Sequence, residues 1–262
     1  MKPLLILAAL SCCATATAQE DIKVEYHAIG KETIENKILR PDEQALIISG
    51  GRSKYYSASQ ERFYQYVDSI EQATGQTVDF YTIRGTEGCP REGFLYIIFK
   101  NYPKAGILTH AEKKGNLDYL YEEPLQVPEW TLVEGDTTIL TYACQKAVSH
   151  FRGRVWTAWY APELPYDNGP WQLGGLPGLI LKATEQDGIF SFTATGIEKV
   201  EAVELKPDKK HYSRCTRKEF RALLDLYFGD RGKFISRQLN MMDGEIEVPI
   251  PPETPCLLDP EE

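Results

Sequence analysis

The sequence predicts a mainly β protein of the α+β class: a curved antiparallel sheet or partial barrel with about two packed helices. Short β-prone runs separated by turn residues dominate the chain, and only two segments carry helical apolar spacing. The runs follow one another too closely for the long crossovers that parallel strands require. These observations together favour antiparallel pairing between strands that are neighbours in sequence.

The predicted strands begin with residues 21–29, in which apolar and polar residues alternate. A hairpin turn is predicted at Gln186-Asp187-Gly188, because glycine tolerates a positive φ. The other predicted strands cover residues 45–48, 78–83, 94–100, 117–121, 138–150, 154–161, 179–184, 189–195 and 197–205.

Two helices are predicted from their capping residues and apolar spacing. Ser57 and Gln60 form a capping-box pattern ahead of the first helix, and Gly75 ends it. Thr216 opens a second helix over residues 216–229. Each helix has one apolar face, so each is expected to pack on the sheet.

The N-terminal segment predicts export. A basic start, a short apolar run and the small residues Ala16 and Ala18 are typical of a secretory signal over residues 1–18. Lipoprotein processing at Cys12 or Cys13 is the alternative, although the residues before these cysteines fit it poorly. Either route implies a periplasmic or outer-envelope location.

The remaining chain is interpreted as one β-rich domain over residues 19–248, followed by a tail over residues 249–262 that holds five prolines. Lys and Arg number 29 and Asp and Glu number 38, so the net charge is −9. This acidic balance argues against nonspecific nucleic-acid binding. We also expect no transmembrane helix after signal cleavage, since no internal run approaches the ~20 apolar residues that a span needs.

Four cysteines remain after cleavage. An even number in an exported chain permits two disulfides, with three possible connectivities, and we expect at least one of them to form. A zinc site is the rival interpretation, but close cysteine pairs are missing and no metal or cofactor is expected. A buried free thiol at the second cysteine is a further alternative. The four are Cys89, Cys144, Cys215 and Cys256.

Residues 142–182 are the most informative stretch, since they hold three of the four tryptophans. Alternation along a strand from Arg152 places Arg152, Arg154 and Trp156 on one face, if Gly153 does not bulge. Trp159 falls on the other face. The following loop over residues 162–177 contains four prolines and is therefore expected to be stiff.

This stretch resembles the GLPGLI family, whose signature is spelled in full by residues 175–180. Upstream matches include the Tyr-x-Cys-x-Lys-Ala strand at 142–147, Arg152-Gly153-Arg154, Trp159-Tyr160 and Gly169-Pro170-Trp171. The specific match covers about residues 140–185, and a looser one runs from about 22 to 205. The resemblance implies a secreted protein of Bacteroidetes-group bacteria and supplies no catalytic residue.

The sequence contains no recognisable catalytic motif. None of the four histidines lies in one, and the G-x-S-x-G elbow is missing. We therefore expect a noncatalytic envelope or periplasmic module that binds an apolar ligand or an envelope protein in a hydrophobic hollow of its sheet. The predicted binding residues are Arg152, Arg154, Trp159, Tyr160, Trp171, Gly175, Leu176, Pro177 and Gly178.

Two alternatives stay open at this point. The signature loop is equally well interpreted as a plug that closes the open end of the sheet, with its tryptophans in the core. A hydrolase acting on envelope material is the other alternative, in which Arg152 and Arg154 bind an anionic group of the substrate. The plainer interpretation of both arginines is that acidic side chains pair with them.

Overall fold

A computed structural model describes residues 20–31, 40–115, 117–208, 211–230 and 233–234. The predicted signal peptide and proline-rich tail lie outside these residues. The helices are α1 (Ala58–Thr74), α2 (Phe80–Ile83) and α3 (Arg217–Gly229). The strands are β1 (Ile22–Gly30), β2 (Arg40–Ser49), β3 (Arg52–Ser57), β4 (Tyr96–Lys100), β5 (Ile107–Lys114), β6 (Leu117–Pro124), β7 (Thr131–Ile139), β8 (Tyr142–Phe151), β9 (Arg154–Ala161), β10 (Leu179–Glu185), β11 (Ser191–Lys199) and β12 (Tyr212–Arg214).

The strands form one open sheet in the order β12-β6-β5-β4-β3-β2-β1-β11-β10-β9-β8-β7. All neighbouring strands are antiparallel except β12, which runs parallel to β6. The mainly β, antiparallel fold predicted from the sequence is therefore confirmed. The parallel pair follows a long excursion of the chain from β6 to β12, as parallel pairing requires.

The sheet is strongly curved, and its connections show this directly. Strands β6 and β7 are ten positions apart in the sheet, which would separate them by roughly 48 Å if the sheet were flat. Yet only residues 125–130 join them, and such a segment spans at most about 25 Å. The two ends of the sheet must therefore approach each other, which confirms the predicted partial barrel.

One ion pair bridges this approach. The Arg152 guanidinium, at the tip of the β8–β9 hairpin, donates to the Glu123 carboxylate on β6 at 2.8 Å. Arg217, at the start of α3, lies 3.9 Å from the other carboxylate oxygen of Glu123. The hairpin, β6 and α3 thus meet where the curved sheet nearly closes.

The main core lies on the inner, concave face of the sheet. Alternate residues of the central strands point into it, and aromatic rings contact one another across it. Trp156 on β9 packs on Phe192 of β11, and Phe192 meets Tyr55 of β3 edge-on. Fully buried side chains of this core include Val24, Tyr26, Leu46, Tyr55, Ile98, Trp156, Tyr160 and Leu181.

Both long helices begin where their capping residues predict, and each packs on the sheet. The Ser57 hydroxyl accepts a hydrogen bond from the Gln60 amide at the start of α1. The Thr216 pattern closes a complete capping box at the start of α3. Helix α1 packs against β2, whereas α3 packs against β6 and inserts Phe220 beside the rings of His110 and Tyr121.

Several predicted elements were wrong in detail. Residues 80–83 form the short helix α2, although a strand was predicted there. The predicted strand over 138–150 is a hairpin, because Leu140 and Thr141 adopt φ of 50° and 74° and reverse the chain. Strand β11 runs through to Lys199, so the strand predicted over 197–205 is wrong beyond that residue and its first part continues β11. Strands β3 and β5 were missed, since neither carries a clear alternating pattern.

Candidate functional site

The signature loop folds back onto the inner face of the sheet between β9 and β10. Gly178 has φ of 155°, and a Cβ there would lie 2.3 Å from the carbonyl oxygen of Ala161. Any larger residue would push the loop away from β9. A Cβ on Gly169 would similarly lie 2.7 Å from the Ile180 side chain. Glycine at these positions lets the loop lie directly against the sheet.

A buried lysine from the opposite part of the sheet holds this loop. The Lys100 ammonium on β4 donates to the Leu173 carbonyl at 2.6 Å, the Asn168 side-chain oxygen at 2.8 Å and the Gly169 carbonyl at 3.3 Å. Three acceptors match the three N–H groups of an ammonium. Burial lowers the pKa of Lys100 to about 7, whereas the carboxylate of Asp167 acts to raise that pKa.

The aromatic and apolar side chains of the loop are part of the core. Trp171 is 2% exposed and packs near Trp156 and Phe151, while Leu176 is 3% exposed. Tyr160 is buried on β9 and donates to the Gln145 side chain at 2.7 Å. The loop therefore fills the hollow that was expected to take an apolar ligand. Of the signature glycine and proline positions, Gly175 and Pro177 are exposed and Gly178 is buried.

The two arginines predicted to bind an anion are paired with acids of this chain. Arg152 is not part of a strand: it has φ of 53° and forms, with Gly153, the turn of the β8–β9 hairpin. Its side chain is 7% exposed and pairs with Glu123, as described above. Arg154 lies 3.5 Å from the buried Glu185 carboxylate. Neither guanidinium is thus presented to solvent as an anion site.

The described residues bring together no recognisable catalytic constellation. The His110 imidazole pairs with Glu112 at 2.9 Å and stacks on Tyr121, and no nucleophile joins them in the described contacts. Lys114 and His110 lower the pKa of Glu112 to about 2 despite its burial. No group of three or more His, Cys, Asp or Glu in the described part of the chain could hold a metal ion.

The disulfide predicted from the sequence is not seen among the described cysteines. Among the described residues, no disulfide joins Cys89, Cys144 or Cys215, and burial raises the pKa of Cys144 and Cys215. Cys256 lies outside the described residues, so a disulfide involving it stays a prediction. The buried thiol of Cys144 matches the alternative considered for this cysteine.

Trp159 alone of the predicted aromatic residues lies on the outer face of the sheet. It is half-buried, and its direct cross-strand neighbours are Lys146 on β8 and Lys182 on β10. The Lys146 ammonium lies 5.7 Å from the centre of the Trp159 ring. We call Lys146, Trp159 and Lys182 the outer row. Within the part of the chain that the structure describes, neither lysine of this row forms an ion pair with a carboxylate.

The sheet ends at β7, beside the outer row. This nine-residue edge strand is mostly exposed, including 59% of Leu132 and 38% of Val133. A bulge between Val133 and Asp136 interrupts its pairing with β8. A cleft of about 640 Å³ is lined by residues 132–136 of this strand together with Gln145 and Lys146.

Sequence reasoning found Trp159 but missed the two lysines and the edge strand. Because side chains alternate between the two faces of a strand, Trp159 must lie on the face opposite to Trp156, and this much could be predicted from the sequence. The identity of its neighbours depends on the registers of three strands, which the sequence does not reveal. Strand β7 was missed because its turn with β8 contains no glycine, proline or asparagine.

Comparison with known proteins supports the fold. Residues 93–220 match the family model described as N-glycanase peptide, N-terminal domain. Two solved structures of PNGF-II, in space groups P21 and C2, share 16% and 15% sequence identity with the chain, each at a TM-score of 0.51. Each comparison covers 78% of this chain and 32% of the PNGF-II chain. A search of curated proteins finds no match.

The chain therefore spans about a third of the length of the structures it resembles, and at this identity the likeness shows the fold alone. The matched segment runs from just before β4 into α3 and includes the signature loop. No helix among the described residues is long and apolar enough to cross a membrane.

Proposed function

We propose that this chain is an exported GLPGLI-type protein that acts as a noncatalytic binding or assembly module of the bacterial envelope. The observation that carries the proposal is the exposed edge strand β7, which presents Leu132 and Val133 at the open end of the sheet. Among the described residues, core side chains and the signature loop occupy the inner face, so the interaction surface of this proposal is on the outside. The match to an N-terminal domain supports a role as a module.

The partner in this proposal is an extended segment of an envelope protein that adds to β7 as a further strand. An edge strand presents free N–H and C=O groups that such a segment can pair with, and Leu132 supplies an apolar contact. Glu134 and Asp136 lie at the bulge of the same strand. Their negative charges favour a partner segment that carries lysine or arginine and disfavour pairing with a second copy of this edge.

The test is co-purification of the full exported chain from solubilised membranes of the producing cell, with a photo-crosslinker at position 131. The wild type and a Val203→Glu control, which alters a residue 46% exposed elsewhere on the surface, are expected to form the same crosslinked adduct. Leu132→Glu is expected to lose it while remaining folded. An adduct that survives Leu132→Glu, or one that Val203→Glu also removes, would overturn the proposal.

The predicted export is tested by the position of the mature N-terminus. Mass spectrometry of the mature protein is expected to give an N-terminus at Gln19. A diacylated cysteine at position 12 or 13 would instead show that the mature protein is a lipoprotein anchored to a membrane.

A further inference from the structure

The outer row adjoins the edge strand β7 but offers different groups, and its chemistry points to a ligand. Lys146, Trp159 and Lys182 stand side by side on three adjacent strands, as the registers of β8, β9 and β10 show. Adjacent strands lie roughly 4.8 Å apart, so the two lysine Cα atoms flank the tryptophan at about that distance on either side. The row therefore places an aromatic surface between two cations.

Among the described residues, no carboxylate neutralises the two lysines of this row. Arg152 and Arg154 are both neutralised by acids, whereas Lys146 and Lys182 meet no carboxylate among the residues that the structure describes. The Lys146 ammonium instead lies 5.7 Å from the centre of the Trp159 ring. The chain has a net charge of −9, yet these two lysines flank one ring with no carboxylate at ion-pair distance among the described residues.

Along the strands the row borders further outward side chains, and across the sheet it borders β7, whose Glu134 and Asp136 line a cleft together with Lys146. The neighbouring outward positions along the same strands are Val148, Thr157 and Thr184, which pair across the sheet in one further row. Each is half-buried, and helix α1 covers a different part of the sheet, at β2. The threonine hydroxyls can donate and accept hydrogen bonds. The surface thus offers an aromatic ring, hydroxyl groups and cations beside the cleft between Lys146 and β7.

We infer that the outer row is a binding site for an acidic saccharide, with one sugar ring lying against Trp159 and carboxylate or phosphate groups of that sugar or its neighbours meeting Lys146 and Lys182. A saccharide ring has an apolar C–H face that packs on an aromatic plane, and its hydroxyls suit the adjacent threonines. An ammonium forms charge-assisted hydrogen bonds with a carboxylate. An acidic peptide would use the lysines and would gain little from a flat tryptophan surface.

The test measures binding of the full exported chain to three soluble polymers by isothermal titration calorimetry at low ionic strength. Polygalacturonate supplies sugar rings with carboxylates, dextran supplies uncharged sugar rings, and polyglutamate supplies carboxylates without rings. The wild type is expected to bind polygalacturonate at least about tenfold more tightly than either of the others, a factor that corresponds to about 1.4 kcal/mol.

The variants separate the aromatic from the charged contribution. Trp159→Ala and the double variant Lys146→Met/Lys182→Met are each expected to weaken polygalacturonate binding at least about tenfold. Trp159→Phe keeps an aromatic plane and should retain most of the binding. Lys104→Met removes one charge from an exposed loop and serves as the matched control. The lysine double variant keeps the test decisive if Trp159→Ala fails to fold.

Three results would each overturn the inference: no binding of polygalacturonate, equal binding of dextran, or equal binding of polyglutamate that Trp159→Ala leaves unchanged. The last result would indicate a site for acidic peptides. Leu132→Ala, which removes the apolar contact of the edge strand without adding a charge to the cleft that Lys146 also lines, is expected to bind polygalacturonate like the wild type. The saccharide site and the protein partner can therefore fail separately.

Discussion

Trp156 and Trp159 lie three residues apart on β9 and face opposite sides of the same sheet. Trp156 is fully buried on the inner face, where it packs near Trp171 of the signature loop and on Phe192. Trp159 is half-buried on the outer face between two lysines. The two tryptophans show that the signature loop belongs to the core, whereas the binding surface that we propose lies on the other side of the same strand.

The polar contacts of the two faces differ in the same way. On the inner face, Lys100 has three oxygen acceptors and Arg152 has a carboxylate. Buried charges need such partners, since an unpaired charge in the interior is costly. On the outer face, Lys146 and Lys182 remain in contact with solvent and need none. The inner face is therefore expected to respond to mutation with a loss of stability, and the outer face with a loss of binding.

The largest effect is expected for Leu176→Asp, which places a carboxylate at a position 3% exposed. Loss of the apolar contacts and burial of a charge should together lower the free energy of unfolding by about 4 kcal/mol or more. Chemical denaturation monitored by tryptophan fluorescence measures it. Val203→Asp, at a site 46% exposed, is the control and should change stability by less than about 0.5 kcal/mol. A stable, folded Leu176→Asp variant would show that the loop is not a structural plug.

The second-largest loss of stability is expected where the ion pairs of Glu123 join the two ends of the curved sheet. Glu123→Gln removes the charge that pairs with Arg152 and Arg217, leaving the guanidinium of Arg152 buried without a counter-charge. We expect a loss of about 2–3 kcal/mol in the free energy of unfolding. Glu122→Gln is the matched control, because its partner Arg214 is mostly exposed and such a pair contributes little. Equal effects of the two substitutions would argue against the bridge as a source of stability.

A pH dependence follows from Lys100. Its pKa is about 7 in the folded chain and about 10.4 in an unfolded one, so the unfolded chain binds more protons between these values. Stability from this group is therefore fully present above about pH 10 and is lost as the pH falls through about 7. The slope within the window is at most about 1.4 kcal/mol per pH unit.

The measurement compares the wild type with Lys100→Met across pH 6.5–9.5. The difference in free energy of unfolding, wild type minus variant, should rise with pH over this window. A flat difference would mean that the three oxygen acceptors keep Lys100 charged throughout.

The smallest stability effect is expected on the outer face. Lys146→Met/Lys182→Met should change the free energy of unfolding by less than about 0.5 kcal/mol, because neither lysine has an ion-pair partner among the described residues. Thermal unfolding measures it on the same protein used for the saccharide titrations. A large loss would assign the outer row to folding and would remove the contrast between the two faces.

The sequence by itself determined the features that depend on a few neighbouring residues. The cap at Ser57, the capping box at Thr216 and the turn at Gly188 all formed where they were predicted, because their hydrogen bonds and φ angles are local. The mainly antiparallel fold was also predictable from the short spacing between strands. The turn at Leu140 and Thr141 was not, since these residues rarely adopt positive φ and only the pairing of β7 with β8 holds them there.

Only the tertiary structure decided which side chains meet across the sheet. The partner of Arg152 lies 29 residues away, and the acceptors of Lys100 lie 68 to 73 residues away. The lysines that flank Trp159 depend on the registers of three strands, and a slip of one residue would turn each of them to the other face. Residue types and alternation place a side chain on a face, but the curvature and register of the whole sheet select its neighbours. For that reason the core role of the signature loop and the outer row became visible only in the folded chain.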